Sequence, residues 1–222
     1  MGGGFPFDRE IGLGDGSLMQ NLCDRVRKLK ANSFTLVELL VVISIIGLLA
    51  GLAVPAIQGG LDRAKQQVDV SNVRQCGLIA FSYANDNDGN YNGSLTNVSS
   101  SLQYFTNLIS MGLLNSPKVL SGNGYTAATS TNNISAQNVA WAYVSGLTTS
   151  DDGQIPLFLS KGISTLSSNV SLSSVTTGWK TKGAVVYRVG NSAEFLKAGA
   201  GGAPQGSINL GLSTAATNRV IQ

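Results

Sequence analysis

The sequence predicts an α+β chain in which one long N-terminal helix packs on a small antiparallel β-sheet head. Three observations carry that prediction. An uncharged run of nineteen residues, Leu39–Ile57, is followed by apolar positions at helical spacing to about Ala84. A cluster of turn formers, Asn85-Asp86-Asn87-Asp88-Gly89-Asn90, then ends the pattern. Beyond residue 138, short segments rich in β-branched and aromatic residues alternate with turn signals, as strands of a sheet do.

The run Leu39–Ile57, read as a helix, spans about 28 Å at ~1.5 Å per residue, close to the ~30 Å hydrocarbon core of a bilayer. Ahead of it, Arg25-Val26-Arg27-Lys28-Leu29-Lys30 holds four basic residues, whereas the fifteen residues after Ile57 hold two, Arg63 and Lys65. The positive-inside rule therefore places the N-terminus in the cytoplasm and the chain beyond about residue 58 outside. Glu38 lies at the cytoplasmic end of the apolar stretch, where an ionisable side chain calls for a partner. Gly47 and Gly51 have the GxxxG spacing that lets helix backbones approach closely. Pro55 falls within the helical pattern and removes one backbone hydrogen bond there.

After Pro55 the helical pattern becomes amphipathic. Ile57, Leu61, Ala64 and Val68 trace one apolar stripe, and Val70, Val73, Cys76, Ala80 and Tyr83 continue a slightly rotated one. Both are expected to bury against the head. Asp62, Arg63, Lys65 and Asp69 are read as a solvated or subunit-facing surface. Ser99–Met111 reads as a short helix with serines at its start and Gly112 past its end. Residues 116–138, rich in Ser, Thr, Asn and Gly, read as surface loop. Strands are expected at 139–144, 154–159, 183–189, 193–197 and 207–212. The chain thus divides into a basic N-terminal stretch (1–33), an apolar half-helix (34–57), an amphipathic half-helix (58–84) and an α+β head (85–222).

Composition excludes several classes of function. Charged residues make up 12% of the chain, about half the ~25% usual in soluble domains. Gly, Ser, Thr and Asn fill the deficit after residue 85, a balance common in extracellular proteins. Histidine is absent, which removes the commonest general base and metal ligand. A net charge of +3 provides no bulk attraction for nucleic acid. Cys23 and Cys76 lie on opposite sides of the apolar run, so no structural disulfide is expected, and Cys76 reads as a small buried residue. No phosphate loop, metal cluster or nucleophile–base arrangement appears, so the chain is not expected to be an enzyme and no cofactor is expected.

The segment Lys30-Ala31-Asn32-Ser33-Phe34-Thr35-Leu36-Val37-Glu38-Leu39-Leu40-Val41-Val42-Ile43 resembles the N-terminus of the type IV pilins and the pseudopilins of type II secretion. The resemblance implies that residues 1–33 are a leader and that a prepilin peptidase cuts between Ser33 and Phe34 on the cytoplasmic side. It further implies N-methylation of Phe34 and retention of the apolar helix as the core of a filament built from copies of the chain and other pilin-like subunits. Glu38 would become the fifth residue and pair with the N-terminal amine of a neighbouring subunit. Gly47 and Pro55 fall where pilin helices carry their glycine and helix-breaking proline. The implied course is inner-membrane insertion with the N-terminus in the cytoplasm, then a periplasmic or extracellular filament. Two features depart from the pattern: Ser33 stands where the family usually has Gly, and the leader is long, with Met19 offering a start that leaves fifteen leader residues.

Metal binding has two faint candidates. Asp86 and Asp88 lie in the turn after the helix, but the EF-hand template needs an acid at Ala84 and a Glu at Leu95. The stretch Tyr83–Tyr91 instead resembles the segment that ends the stalk helix in pseudopilins. Asp151 and Asp152 form the only adjacent carboxylate pair in the head. They are candidates because pseudopilins of type II secretion can hold calcium in a loop of this region. Two alternatives to a filament subunit stay open: a binding module or enzyme released by cleavage after Val54-Pro55-Ala56, and an uncleaved single-span anchor carrying a carbohydrate- or surface-binding head.

Overall fold

The computed structural model describes Gln20 and residues 34–95 and 98–212. The leader stretch, with Ser33, Met19 and Cys23, otherwise lies outside the described residues. The chain divides into two compact units, Met1–Pro55 and Ala56–Gln222. The helix α1, Leu36–Asn85, begins in the first and ends in the second.

In the first unit α1 is apolar all round and its side chains are exposed. It is the one described helix long and apolar enough to cross a membrane. Helix continues through Pro55. Proline lacks the N–H that would bond the carbonyl four residues earlier, which frees the Gly51 carbonyl without ending the helix. A Cβ built at Gly47 or Gly51 would meet nothing within 4 Å, so neither glycine is required by packing within the chain.

In the second unit one face of α1 is buried, formed by Asp69, Val73, Cys76, Gly77, Ala80, Tyr83 and Ala84. The stripe Ile57, Leu61, Ala64 and Val68, expected to share that burial, does not: Ile57, Leu61 and Val68 are 59%, 54% and 58% exposed. The two stripes are not collinear. Extending the first at helical spacing leads to Asn72, Gln75 and Ile79. The buried face runs one residue later, about 100° further round the helix. That face carries the buried contact with the head, and Asn72, which donates to the Ser121 carbonyl at 3.1 Å, and the half-buried Ile79 meet the head at its margin.

Helix α1 ends where the turn formers predict. The Asn87 side-chain amide donates to the Tyr83 carbonyl at 2.8 Å, and the Gly89 N–H donates to the Ala84 carbonyl at 2.8 Å. Asp88 and Gly89 both take positive φ there, 54° and 77°. Helix α2, Ser101–Ser110, starts at the N-cap Ser100, whose hydroxyl accepts from the Gln103 N–H at 3.2 Å.

The head holds a four-stranded antiparallel sheet in the order β1-β2-β4-β5: β1 is Trp141–Tyr143, β2 Pro156–Ser160, β4 Gly183–Arg188 and β5 Ala193–Lys197. A separate antiparallel pair joins β3, Asn169–Ser171, to β6, Ser207–Asn209. All six residues of β4 are buried, as its nearly continuous apolar run requires. Aromatic rings from α2 and the sheet fill the centre. Tyr104 stacks on Tyr143 with centroids 3.9 Å apart, and Phe158 lies against Tyr104, Phe105, Tyr143 and Tyr187. Helix α1 packs on β4 at Gly77, where a Cβ would lie 2.0 Å from the Tyr187 ring.

Candidate functional site

The start of α1 carries the first group of interest. The Thr35 N–H and hydroxyl donate to Glu38 Oε2 at 2.9 and 2.7 Å, and the Glu38 N–H donates to Thr35 Oγ1 at 3.2 Å. This is a capping box: Thr35 and Glu38 satisfy each other's end of the helix reciprocally. The carboxylate that needed a partner has one within its own chain, and both of those bonds go to Oε2. Phe34 precedes the box and is exposed.

The second group lies where α1 meets the head, and its role is not legible in the sequence. Asp69 is 5% exposed rather than solvated. Its Oδ2 accepts from the Trp179 indole N–H at 2.7 Å and from the Asn123 N–H at 3.0 Å, with the same N–H 3.2 Å from Oδ1. One carboxylate therefore ties α1 to the loop after the 3-10 turn Pro117–Leu120 and to the segment before β4. Trp179 in turn meets Phe195 of β5 edge-on at 5.2 Å. A sequence signal existed: Asp69 stands four residues before Val73 and seven before Cys76, on the buried face. Asp62 does lie at the surface, paired with Lys182 at 2.7 Å.

Burial raises the Asp69 carboxyl above its ordinary range, outweighing the bonds from Asn123 and Trp179 that act in the opposite sense. A carboxyl raised in the folded state holds its proton more tightly there than in the unfolded chain. Its contribution to stability is present below the unfolded value of ~4 and is lost as pH rises through the folded one. Asp69→Asn keeps an acceptor and removes the charge. Urea unfolding of both forms should show the wild type losing stability relative to Asp69→Asn as pH rises from about 4 towards neutrality. A difference that stays constant with pH would contradict this. Asp69→Ala, which strands the buried Trp179 N–H, should cost about 1–3 kcal/mol.

The structure brings the two aspartate pairs into neighbouring loops. The Thr149 N–H donates to the Gly89 carbonyl at 2.7 Å, and Asn90 forms a bridge with Thr148. Asp151 Oδ2 accepts from the Thr148 N–H and hydroxyl, and Asp152 Oδ1 accepts from the Gln154 N–H. Both carboxylates thus serve their own turn. Among the described residues no group of three or more Asp, Glu, His or Cys could hold a metal ion. Cys76 is fully buried, with its thiol 3.5 Å from the Val119 carbonyl, and burial pushes its ionisation far above the usual thiol range.

Among the described residues, a helix long and apolar enough to cross a membrane, with one carboxylate at its start, leads into an α+β head. Residues 28–54 match the family model of the prokaryotic N-terminal methylation motif, the signature of the prepilin-type segment in type IV pilins and pseudopilins. The chain is thus type IV pilin-like in its N-terminal segment, and the match includes Ser33, Phe34, Glu38, Gly47 and Gly51. No curated protein and no solved structure matches the chain.

Proposed function

We propose that the chain is a structural subunit, a pilin or pseudopilin, that a prepilin peptidase trims between Ser33 and Phe34 and that then polymerises with copies of itself and other pilin-like subunits. The observation that carries this reading is the methylation motif over residues 28–54, seated on a helix of membrane length. The peptidase cut removes the basic leader and creates a free amine at Phe34, four residues before Glu38. In the membrane the apolar half of α1 is covered by lipid. In a filament, other apolar helices take the place of lipid, and burial of side chains such as Leu39, Ile43 and Ile46 drives packing. Gly47 and Gly51 admit close helix contacts, and Pro55 with the freed Gly51 carbonyl is the weak point at which the helix can extend. The chain performs no catalysis in this reading and uses no cofactor. Its path leads from the inner membrane, N-terminus in the cytoplasm, to a periplasmic or extracellular filament.

Intact mass and N-terminal sequencing of the protein from native envelopes test the reading. The expected chain begins at methylated Phe34. A chain that begins at Ile57, or that keeps residues 25–30, would show an exported or simply anchored binding protein instead.

A further inference from the structure

We propose that the cleft between α1 and β5, with its basic rim of Arg63, Lys180, Lys182 and Lys197, is a seat for the phosphate headgroups of anionic phospholipids. The proposal rests on insertion of the apolar run in a membrane, which the pilin and single-span readings share, and not on assembly. The cleft has a volume of ≈830 Å³, and its lining belongs to the second unit. Gly59, Asp62 and Arg63 form its α1 side, with Lys182 and Lys197 opposite. Lys180 opens the 3-10 turn Lys180–Lys182, which lies beside Asp62. The fold gathers these bases from three places in the sequence. The Ala198 N–H donates to the Lys182 carbonyl at 3.0 Å, which sets Lys197 beside Lys182, and Lys182 Nζ reaches Asp62 at 2.7 Å.

All four basic residues are exposed. Among the described residues the ion pairs are Lys182–Asp62 and Arg188–Glu194. Arg63, Lys180 and Lys197 therefore face no acid, and Glu194, which also lines the cleft, is already taken by Arg188. A positive excess around an open cleft calls for an anion.

Position along α1 identifies that anion. The apolar run ends at Ile57, and Gly59 and Asp62 follow about 3 and 7.5 Å further on at ~1.5 Å per residue. Tilting the helix only brings them nearer the bilayer plane. The headgroup layer occupies about 5–8 Å outside each side of the hydrocarbon core. The cleft thus opens where phosphates lie, and long basic side chains reach that layer with their charged ends. The exposed acids Asp86, Asp88 and Asp152 stand at the other end of the head. Asp86 lies about 36 Å beyond Asp62 along α1, several times the ~8 Å screening length in physiological salt. The two ends therefore do not cancel each other. An anionic surface draws the basic end and repels the acidic one.

The test uses the full chain with Cys23→Ser and a fluorophore on Thr181→Cys, reconstituted in phosphatidylcholine vesicles holding a trace of lipid with a nitroxide on its headgroup. Cys76 is buried and stays unlabelled. Adding phosphatidylglycerol should raise nitroxide quenching at position 181 at least about twofold, and high salt should reverse the rise. A fluorophore on Ser150→Cys, beside the acidic end, should not respond. Each base near an anionic surface favours the docked head by about fivefold. The double variant Lys180→Gln with Lys197→Gln, which keeps the Lys182–Asp62 pair, should therefore abolish the rise, whereas the exposed Lys118→Gln should retain it. Quenching at position 181 that ignores phosphatidylglycerol or survives the double variant would overturn the seat, as would a larger response at position 150. Loss of filaments in the double variant with no change in quenching would instead assign the bases to the acidic end of a second copy. A chain stripped from the vesicles by alkaline carbonate would refute insertion, and the seat with it. An inserted chain blind to lipid charge would refute the seat alone.

Discussion

Glu38→Val is expected to leave the chain in the membrane and to remove its filaments. The substitution makes the helix more apolar, so insertion is retained, while the carboxylate that would meet the Phe34 amine of a neighbour in the proposed filament is lost. Glu38 also closes the capping box with Thr35 at 2.9 and 2.7 Å, a local role that could by itself explain an acid at this position. Two further variants separate the roles. Glu38→Gln keeps a side-chain oxygen for Thr35 but removes the charge, and Thr35→Val removes the hydroxyl but keeps the charge. If the interchain pair governs assembly, Glu38→Gln should fail as Glu38→Val does, with filament yield down by at least about tenfold. That follows from losing a charge-assisted bond of ~1.5–3 kcal/mol. Thr35→Val should then assemble near wild-type levels. The reverse ranking, scored by electron microscopy and sheared-filament yield, would assign Glu38 to helix capping.

The largest expected effect on stability is at Gly77. A Cβ there would sit 2.0 Å from the Tyr187 ring, and 2.1 and 2.4 Å from its flanking carbons. Tyr187 is fully buried on β4, and its hydroxyl is held by Asn191 at 2.7 Å, so the ring cannot simply swing aside. Even Gly77→Ala forces α1 off the sheet or the ring out of its place, at about 3 kcal/mol, the upper end for overpacked cores. The head should melt several degrees lower and be cut faster by protease. Pairing Gly77→Ala with Tyr187→Leu should recover part of the loss, because the smaller side chain vacates the contested space. A single variant with unchanged melting would show that the close contact is not a constraint.

Much of this architecture is legible in the sequence, for reasons that differ by element. The end of α1 at Asn85 follows from a dense run of turn formers, whose left-handed residues Asp88 and Gly89 the structure displays. The main sheet is readable because β2, β4 and β5 are compact apolar or alternating runs bounded by turns. The pair β3 and β6 is harder. Asn169–Ser171 is a three-residue strand among serines with one buried side chain, too short for alternation to register, and it escaped the reading. Periodicity alone also misassigns the stripe through Leu61 and Val68, since it reports that a helix has an apolar face but not which neighbour covers it. Asp69 failed for a related reason. A charge is read as solvent-facing until something identifies its partners, and Asn123 and Trp179 lie 54 and 110 residues away in sequence. The prepilin-type segment is the opposite case, because its chemistry is local and needs no tertiary contact to be recognised.

The bond between Asp69 and Trp179 also has an optical consequence. The chain has two tryptophans. The indole N–H of Trp141 donates to the neutral Val119 carbonyl at 2.9 Å, whereas that of Trp179 faces a carboxylate that titrates. Both rings are buried, so solvent quenching affects neither strongly. Fluorescence that changes with pH then belongs to one indole, and its midpoint reads the protonation of the junction between α1 and the sheet. Trp179 thus offers an intrinsic, label-free probe of the charge state of the carboxyl that ties α1 to the head.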